Sequence, residues 1–280
     1  MLILPNTFCI LTPDSVVTDV CSDGSPCVAA WNDVSGTGTH YLPFAGRGPI
    51  QGMADIACVG TKSVFPLVTK TSGGIQINLS NANSSFSLMN GYFADSTGGN
   101  WVGNLPRKDC NGVRCRFDEL PLTVLVQATI KGVFGGSLGS RVTGLFNIDG
   151  FGAEVGLFSH PRQNFMIYPF SSGSICGSTD FRSFVKDLTF SGYKDKKLIY
   201  GVSTDGTVIR MSINGKTIGE VPSRWAFNGS NFLNARLGGW FPGGFDGSHT
   251  AYGTIFHHVV AANWFPNEQE LIDVCDSIGY

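Results

Sequence analysis

Several side chains have the type and spacing to do chemistry. Gly135-Gly136-Ser137-Leu138-Gly139 matches G-x-S-x-G. A nucleophile elbow needs a strand before the serine and a helix after it, and only strand-like sequence follows, so the segment reads as a glycine-rich turn. Five glutamates, Glu119, Glu154, Glu220, Glu268 and Glu270, are the material for glycoside hydrolysis. Retaining hydrolysis needs two carboxyls about 5 Å apart. None of the five alternates with another acid along an expected strand, and Glu268 and Glu270 fall on an expected helix. His257-His258 is a doublet within an expected strand, where successive side chains point to opposite faces, so the two rings are not expected to share a metal. His160 and His249 fall in loops. No catalytic residue and no metal ligand is assigned.

Eight cysteines are present: Cys9, Cys21, Cys27, Cys58, Cys110, Cys115, Cys176 and Cys275. Cys21/Cys27 and Cys110/Cys115 are close enough in sequence to close short loops as disulfides. Their spacing is wider than a CxxC zinc knuckle, and no histidine pair completes a site. Cys275 lies on an apolar helix face and reads as a buried thiol.

Binding chemistry is better represented. Sugar C–H faces stack on aromatic rings while Asn and Asp fix hydroxyls. Three loops carry that mixture: Asn90-Gly-Tyr-Phe-Ala-Asp95 with Asn100-Trp101, Arg224-Trp225 with Asn228, and Trp240-Phe-Pro with Phe245-Asp246. Each ring by itself has the simpler role of covering a sheet edge. Their coincidence in three loops singles out Tyr92, Asp95, Trp101, Trp225, Trp240 and Asp246 as glycan-binding candidates. Asn78-Leu-Ser, Asn83-Ser-Ser and Asn228-Gly-Ser match glycosylation sequons, which carry weight only along a secretory route.

Composition sets what must position these residues. The chain holds 37 glycines in 280 residues, where about 20 are usual. Charged residues are 14% against about 25%, with 19 basic and 21 acidic side chains. The lack of basic surplus argues against nucleic acid as a partner. The 42% hydrophobic and 12% aromatic content argues against disorder. No run approaches 18 apolar residues, so no membrane-spanning helix is expected. Met1-Leu-Ile-Leu-Pro5-Asn6 lacks the basic start and long apolar stretch of a secretory signal.

Strand signals dominate. Leu198–Ser203, Thr207–Ile213 and Lys216–Val221, joined by Asp205-Gly206 and Asn214-Gly215, read as a three-stranded meander, because these dipeptides supply the positive φ angles of tight hairpins. Leu122–Ile130 reads as a central strand, Gly144–Ile148 and Glu154–Phe158 as a hairpin about Asp149-Gly150, and Asn164–Tyr168 as a further strand. Gly74–Leu79, Ser85–Met89, Arg236–Trp240 and Thr254–Ala261 complete the set. Leu271, Val274, Cys275 and Ile278 fall at i, i+3, i+4, i+7, predicting one helix that starts with Pro266 at its first position and stops at Gly279. The expectation is one domain over 1–280, with a long loop excursion around 95–120.

Ala30-Trp31-Asn32-Asp33-Val34-Ser35-Gly36, followed by Thr37-Gly38-Thr39-His40, resembles the concanavalin A-like lectin/glucanase superfamily, and within it the laminin G-like and pentraxin-like branch. Ile213-Asn214-Gly215-Lys216, Arg236-Leu237-Gly238-Gly239 and Phe245-Asp246-Gly247 before Ile255 resemble its closing strands. The resemblance implies an all-β fold, a two-sheet antiparallel jelly-roll sandwich with a short C-terminal helix. Trp31 is expected in the core, and Asp33 and Ser35 are expected to accept backbone N–H groups in a turn. The Glu-x-Asp-x-Glu alternation of the superfamily's glucanases is absent, so no enzyme is expected. Some relatives bind calcium; Asp246, Asp149, Asn147 and Asp95 offer oxygen donors, but no calcium-loop spacing links them. No other cofactor is expected.

The function implied is a non-enzymatic virion protein of a bacteriophage, such as a head fibre, capsid decoration or tail appendage. Its partners would be virion proteins and host-surface glycans, and it would assemble as a homo-oligomer. The alternative is a secreted lectin or a polysaccharide-degrading enzyme of the same fold.

Overall fold

A computed structural model describes residues 1–20, 24, 26–37, 39–45, 68–77, 84–90, 105–106, 120–130, 141–148, 151–158, 162–169, 184–188, 195–222, 232–233, 235–237 and 254–280. Strands account for most of them, in two large antiparallel sheets. The first sheet contains β1 (Thr7–Leu11), β5 (Val68–Thr71), β6 (Gly74–Ile77), β9 (Leu122–Thr129), β14 (Lys197–Thr204), β15 (Val208–Ile213), β16 (Lys216–Pro222) and β19 (Ile255–Ala262). Its order is β16-β15-β14-β9-β19-β6-β5. The free edge of β19 is shared, with Ile255 and Phe256 pairing with β6 and Val259 to Ala262 pairing with β1.

The second sheet contains β2 (Val16–Val20), β3 (Pro26–Trp31), β4 (Thr39–Ala45), β7 (Ser84–Asn90), β10 (Arg141–Ile148), β11 (Phe151–Phe158), β12 (Arg162–Pro169), β13 (Phe184–Leu188) and β18 (Ala235–Leu237). Its order is β13-β12-β11-β10-β18-β7-β4-β3-β2. A small pair, β8 (Leu105–Pro106) with β17 (Phe232–Leu233), stands apart, so the segment expected as loop excursion contributes one short strand. The result is the all-β sandwich expected, closed by one helix, α1 (Glu268–Ile278).

All eight residues of β9 are buried, because both of its faces are covered. Alternation separates them into two sets. Val124, Val126 and Ala128 face the second sheet, on the same side as Tyr200, Val202, Ile209 and Met211, where Trp31, Tyr41, Leu145 and Leu237 are also buried. Thr123, Leu125 and Gln127 face the helix: Thr123 Oγ1 donates to Trp264 O at 2.7 Å, Leu125 packs with α1, and Gln127 reaches Gly279 O. Leu271, Val274 and Cys275 of α1 join Leu4, Leu125, Ile199, Val260 and Ala262 in that outer cluster. An isolated helix of 11 residues is marginal in water. Burying Leu271 and Val274 contributes about 1.5–3 kcal/mol each and holds it.

The helix begins two residues later than the sequence suggests, at Glu268. Asn267 is its N-cap: its side chain accepts from Glu270 N at 3.0 Å, while Glu270 Oε2 accepts from Asn267 N at 2.8 Å. Pro266 therefore stands before the cap rather than at the first helical position, since this reciprocal pair needs an N–H at 267. Gly279 ends the helix at φ 79°, donating to Cys275 O at 3.1 Å. In the meander, Asn214 (φ 50°) and Gly215 (φ 79°) take the two positive-φ positions of the turn, as the dipeptide predicts.

Candidate functional site

Three polar clusters are built from the described residues. The first follows Trp31, whose ring is fully buried and whose Nε1 donates to Thr12 O at 2.7 Å. Asp33 Oδ1 accepts from Ile10 N at 2.8 Å and Ser35 N at 2.9 Å; Oδ2 accepts from Ser35 Oγ at 2.7 Å and faces Thr37 Oγ1 at 3.0 Å. Ser35 Oγ in turn accepts from Thr37 N at 3.3 Å. Oδ1 thus fastens the turn to β1 while Oδ2 braces the turn from within, and Asp33 and Ser35 each accept a backbone N–H there as the sequence suggested. Burial raises the Cys9 thiol and the Tyr41 phenol well above their ordinary values, and the Asp33 charge adds to both.

The second cluster lies at the start of α1. Arg210 in β15 binds Glu220 through Nε, donates from Nη1 to Pro266 O, and sets its guanidinium 4.6 Å from the centre of the Phe265 ring. Glu268 Oε2 accepts from Thr217 N at 3.2 Å; hydrogen bonding from the Thr217 side chain and then its N–H, with Arg210 and Lys216 nearby, holds the carboxyl below the usual range. Trp264 Nε1 donates to Glu270 Oε2 at 3.4 Å. Glu268 fixes the helix to the meander, Glu220 holds Arg210 within the meander, and Glu270 caps the start of the helix.

The third cluster corrects the sequence reading. In β19, Phe256 pairs with Ala128 and His258 with Gln127, so His257 is an extra residue in a β-bulge. A bulge breaks the two-residue alternation. His257 Nε2 meets Thr129 Oγ1 at 2.7 Å, and His258 Nδ1 meets Gln127 Oε1 at 2.7 Å. Thr129 and Gln127 are two apart in β9 and share a face, so the two imidazoles lie on the same side of the sheet, not on opposite sides. His257 Nδ1 also meets Gly73 O in the β5–β6 turn. That turn comes so close that a Cβ on Gly74 would lie 2.0 Å from Phe256 O.

Carbonyl and amide oxygens only accept, so both rings carry their proton on Nδ1 when neutral. Burial, followed by His257 and Lys197, pushes His258 down to about 4, with Asp14 acting in the opposite sense. Gln127, 1% exposed, completes the chain by donating from Nε2 to Gly279 O.

Tyr92, Asp95, Trp101, Trp225, Trp240 and Asp246, the glycan-binding candidates, lie outside the described residues. So do Asp149 and the cysteine pair Cys110/Cys115, and Cys21 of the other pair. Asn147 is placed in β10 opposite Arg236 and Gly152. Among the described residues, no group of three or more His, Cys, Asp or Glu side chains gathers as for a metal, and no helix is long and apolar enough to cross a membrane. Cys275 is a buried thiol, as its helix position suggested, and Cys9 is another. Sequence reasoning missed Gln127, Thr129 and Arg210 as partners. The His-His doublet was its only local signal for the third cluster, and nothing local announced the bulge.

The sandwich has counterparts among solved structures. No protein-family model and no curated protein matches the chain. A sialidase of Trypanosoma rangeli, solved as a covalent intermediate with 2,3-difluorosialic acid, matches 99% of this chain with a TM-score of 0.56 and 11% identity. The chain spans only 34% of the sialidase's length. Domain 4 of an extracellular GH43 arabinanase from Geobacillus stearothermophilus, solved with arabinotriose, matches 96% of this chain and 98% of its own, with a TM-score of 0.52 and 12% identity. At these identities the likeness is one of fold, a β-sandwich.

Proposed function

We infer that the chain is a non-catalytic glycan-binding sandwich of the laminin G-like branch, carried on a virion as a head fibre, decoration or tail appendage and assembled there as a homo-oligomer. The observation that carries the glycan part is the end-to-end match with the arabinanase domain, a sandwich of the same extent solved with an oligosaccharide. The aromatic and amide-rich loops around Trp101, Trp225 and Trp240 supply the chemistry such a ligand needs. The non-catalytic part draws on the missing acidic alternation and on the bonds that occupy Glu220, Glu268 and Glu270. The virion setting rests on the sequence resemblance alone.

A glycan array that includes arabinan and sialylated oligosaccharides, probed with the chain and with Trp101→Ala, tests the binding reading. Binding weakened by the substitution supports it, and absence of any bound glycan overturns it. The second reading, a secreted carbohydrate-active protein, is favoured by the sialidase likeness. Release of free sugar from either substrate class would replace the non-catalytic reading with that one, and recovery of the chain in purified virions would favour the first.

A further inference from the structure

The last turn of α1 holds an arm from the other end of the chain. Leu2 N donates to Ser277 Oγ at 2.9 Å, and Leu4 is buried in the cluster beneath the helix. The arm is therefore anchored, yet Met1, Leu2 and Ile3 are each 53% exposed. Tyr280, which bonds to Asp276 in the same turn, is 56% exposed. These are four of the eight large apolar side chains left exposed among the described residues, so they make a patch rather than scattered sites. Charge is unevenly arranged around it. Asp273 and Asp276 are exposed near the C-terminal end of α1, where the helix dipole disfavours an acid, and the last turn holds no basic side chain to offset them. Lys197 opens β14 just past that end. Gln127 holds Gly279 O and stands opposite Ile199, and Lys197, two residues before Ile199, shares its helix-bearing face. Lys197 is exposed, and among the described residues neither it nor the two aspartates is in a salt bridge.

We propose that this end of α1 is a two-fold interface with a second copy of the chain: the exposed arm and Tyr280 meet their equivalents at the centre, and Asp273 and Asp276 of each copy face Lys197 of the other. This gives a surface to the homo-oligomer inferred above and rests on that reading. Charge complementarity selects the occupant. A two-fold contact brings each residue of a patch against a different residue of the same patch, so a surface with acids on one side and a lysine on the other is complementary to itself. The crossed pairs supply the cation that the last turn of α1 lacks. An apolar centre within a polar rim is the usual anatomy of such a contact. With a net charge of only −2, the chain repels its own copy weakly.

Sedimentation velocity from about 1 to 100 μM tests the surface, and the wild type is expected to associate in that range. Asp276→Lys and Lys197→Asp should each weaken association about tenfold or more, since each sets like charges face to face on both sides of the axis. Mixing the two variants should restore it, because both crossed pairs are then of opposite sign, whereas an effect within one chain is not rescued by mixing. Ile3→Asp, a charge in the apolar centre, should leave monomer, and an unchanged urea midpoint shows that its fold is kept. A wild type that stays monomeric throughout overturns both the surface and the homo-oligomer. An oligomer that withstands Ile3→Asp, or charge variants that mixing does not rescue, overturns the surface alone.

Discussion

Gly215 lies directly beneath the backbone of Ile272: a Cβ at 215 would sit 2.5 Å from Ile272 Cα and 2.6 Å from Ile272 N. The meander turn therefore touches α1 with no side chain between them. Glycine is required twice over, for its φ of 79° and for this approach.

Gly215→Ala should accordingly destabilise the protein by about 2–4 kcal/mol, since neither backbone can yield cheaply. Gly36→Ala, at φ 90° with open space around it, is the matched control and should cost only about 1 kcal/mol. Thermal or urea unfolding of the two variants compares them. Equal costs would mean that the contact with Ile272 contributes nothing.

Removing the Asp33 carboxylate should cost about 1–3 kcal/mol in Asp33→Ala, because Ile10 N loses its acceptor in a buried place. Asp33→Asn keeps one oxygen and should cost less. Unfolding midpoints in urea order the two.

Arg210→Ala should loosen the start of α1, because the bond to Pro266 O and the contact with Phe265 disappear together. About 1–2 kcal/mol is expected, and Arg210→Lys should recover only part of it, since an ammonium cannot reproduce the planar fork. The fluorescence change of Trp264 during urea unfolding would locate the loss at this end of the helix.

Stability should fall as the solution is acidified from about pH 6.5 towards 4. His258 in the folded chain takes its proton only near 4, whereas the unfolded chain takes it near 6.5, so between these values the unfolded state binds more protons and is favoured. Above 6.5 the effect vanishes. Asp205, held below its usual value by the N–H of Val208 and by Thr207, adds a loss only at lower pH. The urea midpoint against pH should therefore decline less steeply in His258→Gln across this window.

Cys9 and Cys275 should resist iodoacetamide at pH 8 in the folded protein and react once it unfolds. Burial raises both thiols, Cys275 to about 12, so little thiolate forms. Mass spectrometry of the alkylated peptides reads this directly.

The parts of the fold that were legible in the sequence are those governed by local chemistry. Asn214-Gly215 and Asp205-Gly206 marked their hairpins, and Leu271, Val274, Cys275 and Ile278 marked the buried helix face, because positive φ and a 3.6-residue period leave signs within a few residues. β2 and β5 were not anticipated although each pairs with its neighbour in the chain, β3 and β6; β1 was not, since its partner β19 lies far along the chain. His257-His258 was misread for the same reason: alternation holds within a regular strand, and the register slip against β9 is a property of the pair. Arg210 appeared as one member of a mixed strand face, and its bond to Pro266, 56 residues on, left no local trace.

The placement of β19 has a consequence for how the chain is made. It follows every other described strand in the chain, yet it fills the middle of the first sheet, joining β9 on one side to β6 and β1 on the other. Until residues 255–262 emerge, that sheet is two fragments with open edges, β16-β15-β14-β9 and β6-β5, and β1 waits without a neighbour. Such distant pairings slow folding and leave edges exposed to aggregation in the meantime. Assembly of this half of the sandwich is thus deferred until β19 has emerged, and chains cut short before residue 255 should accumulate as insoluble material rather than as smaller folded domains.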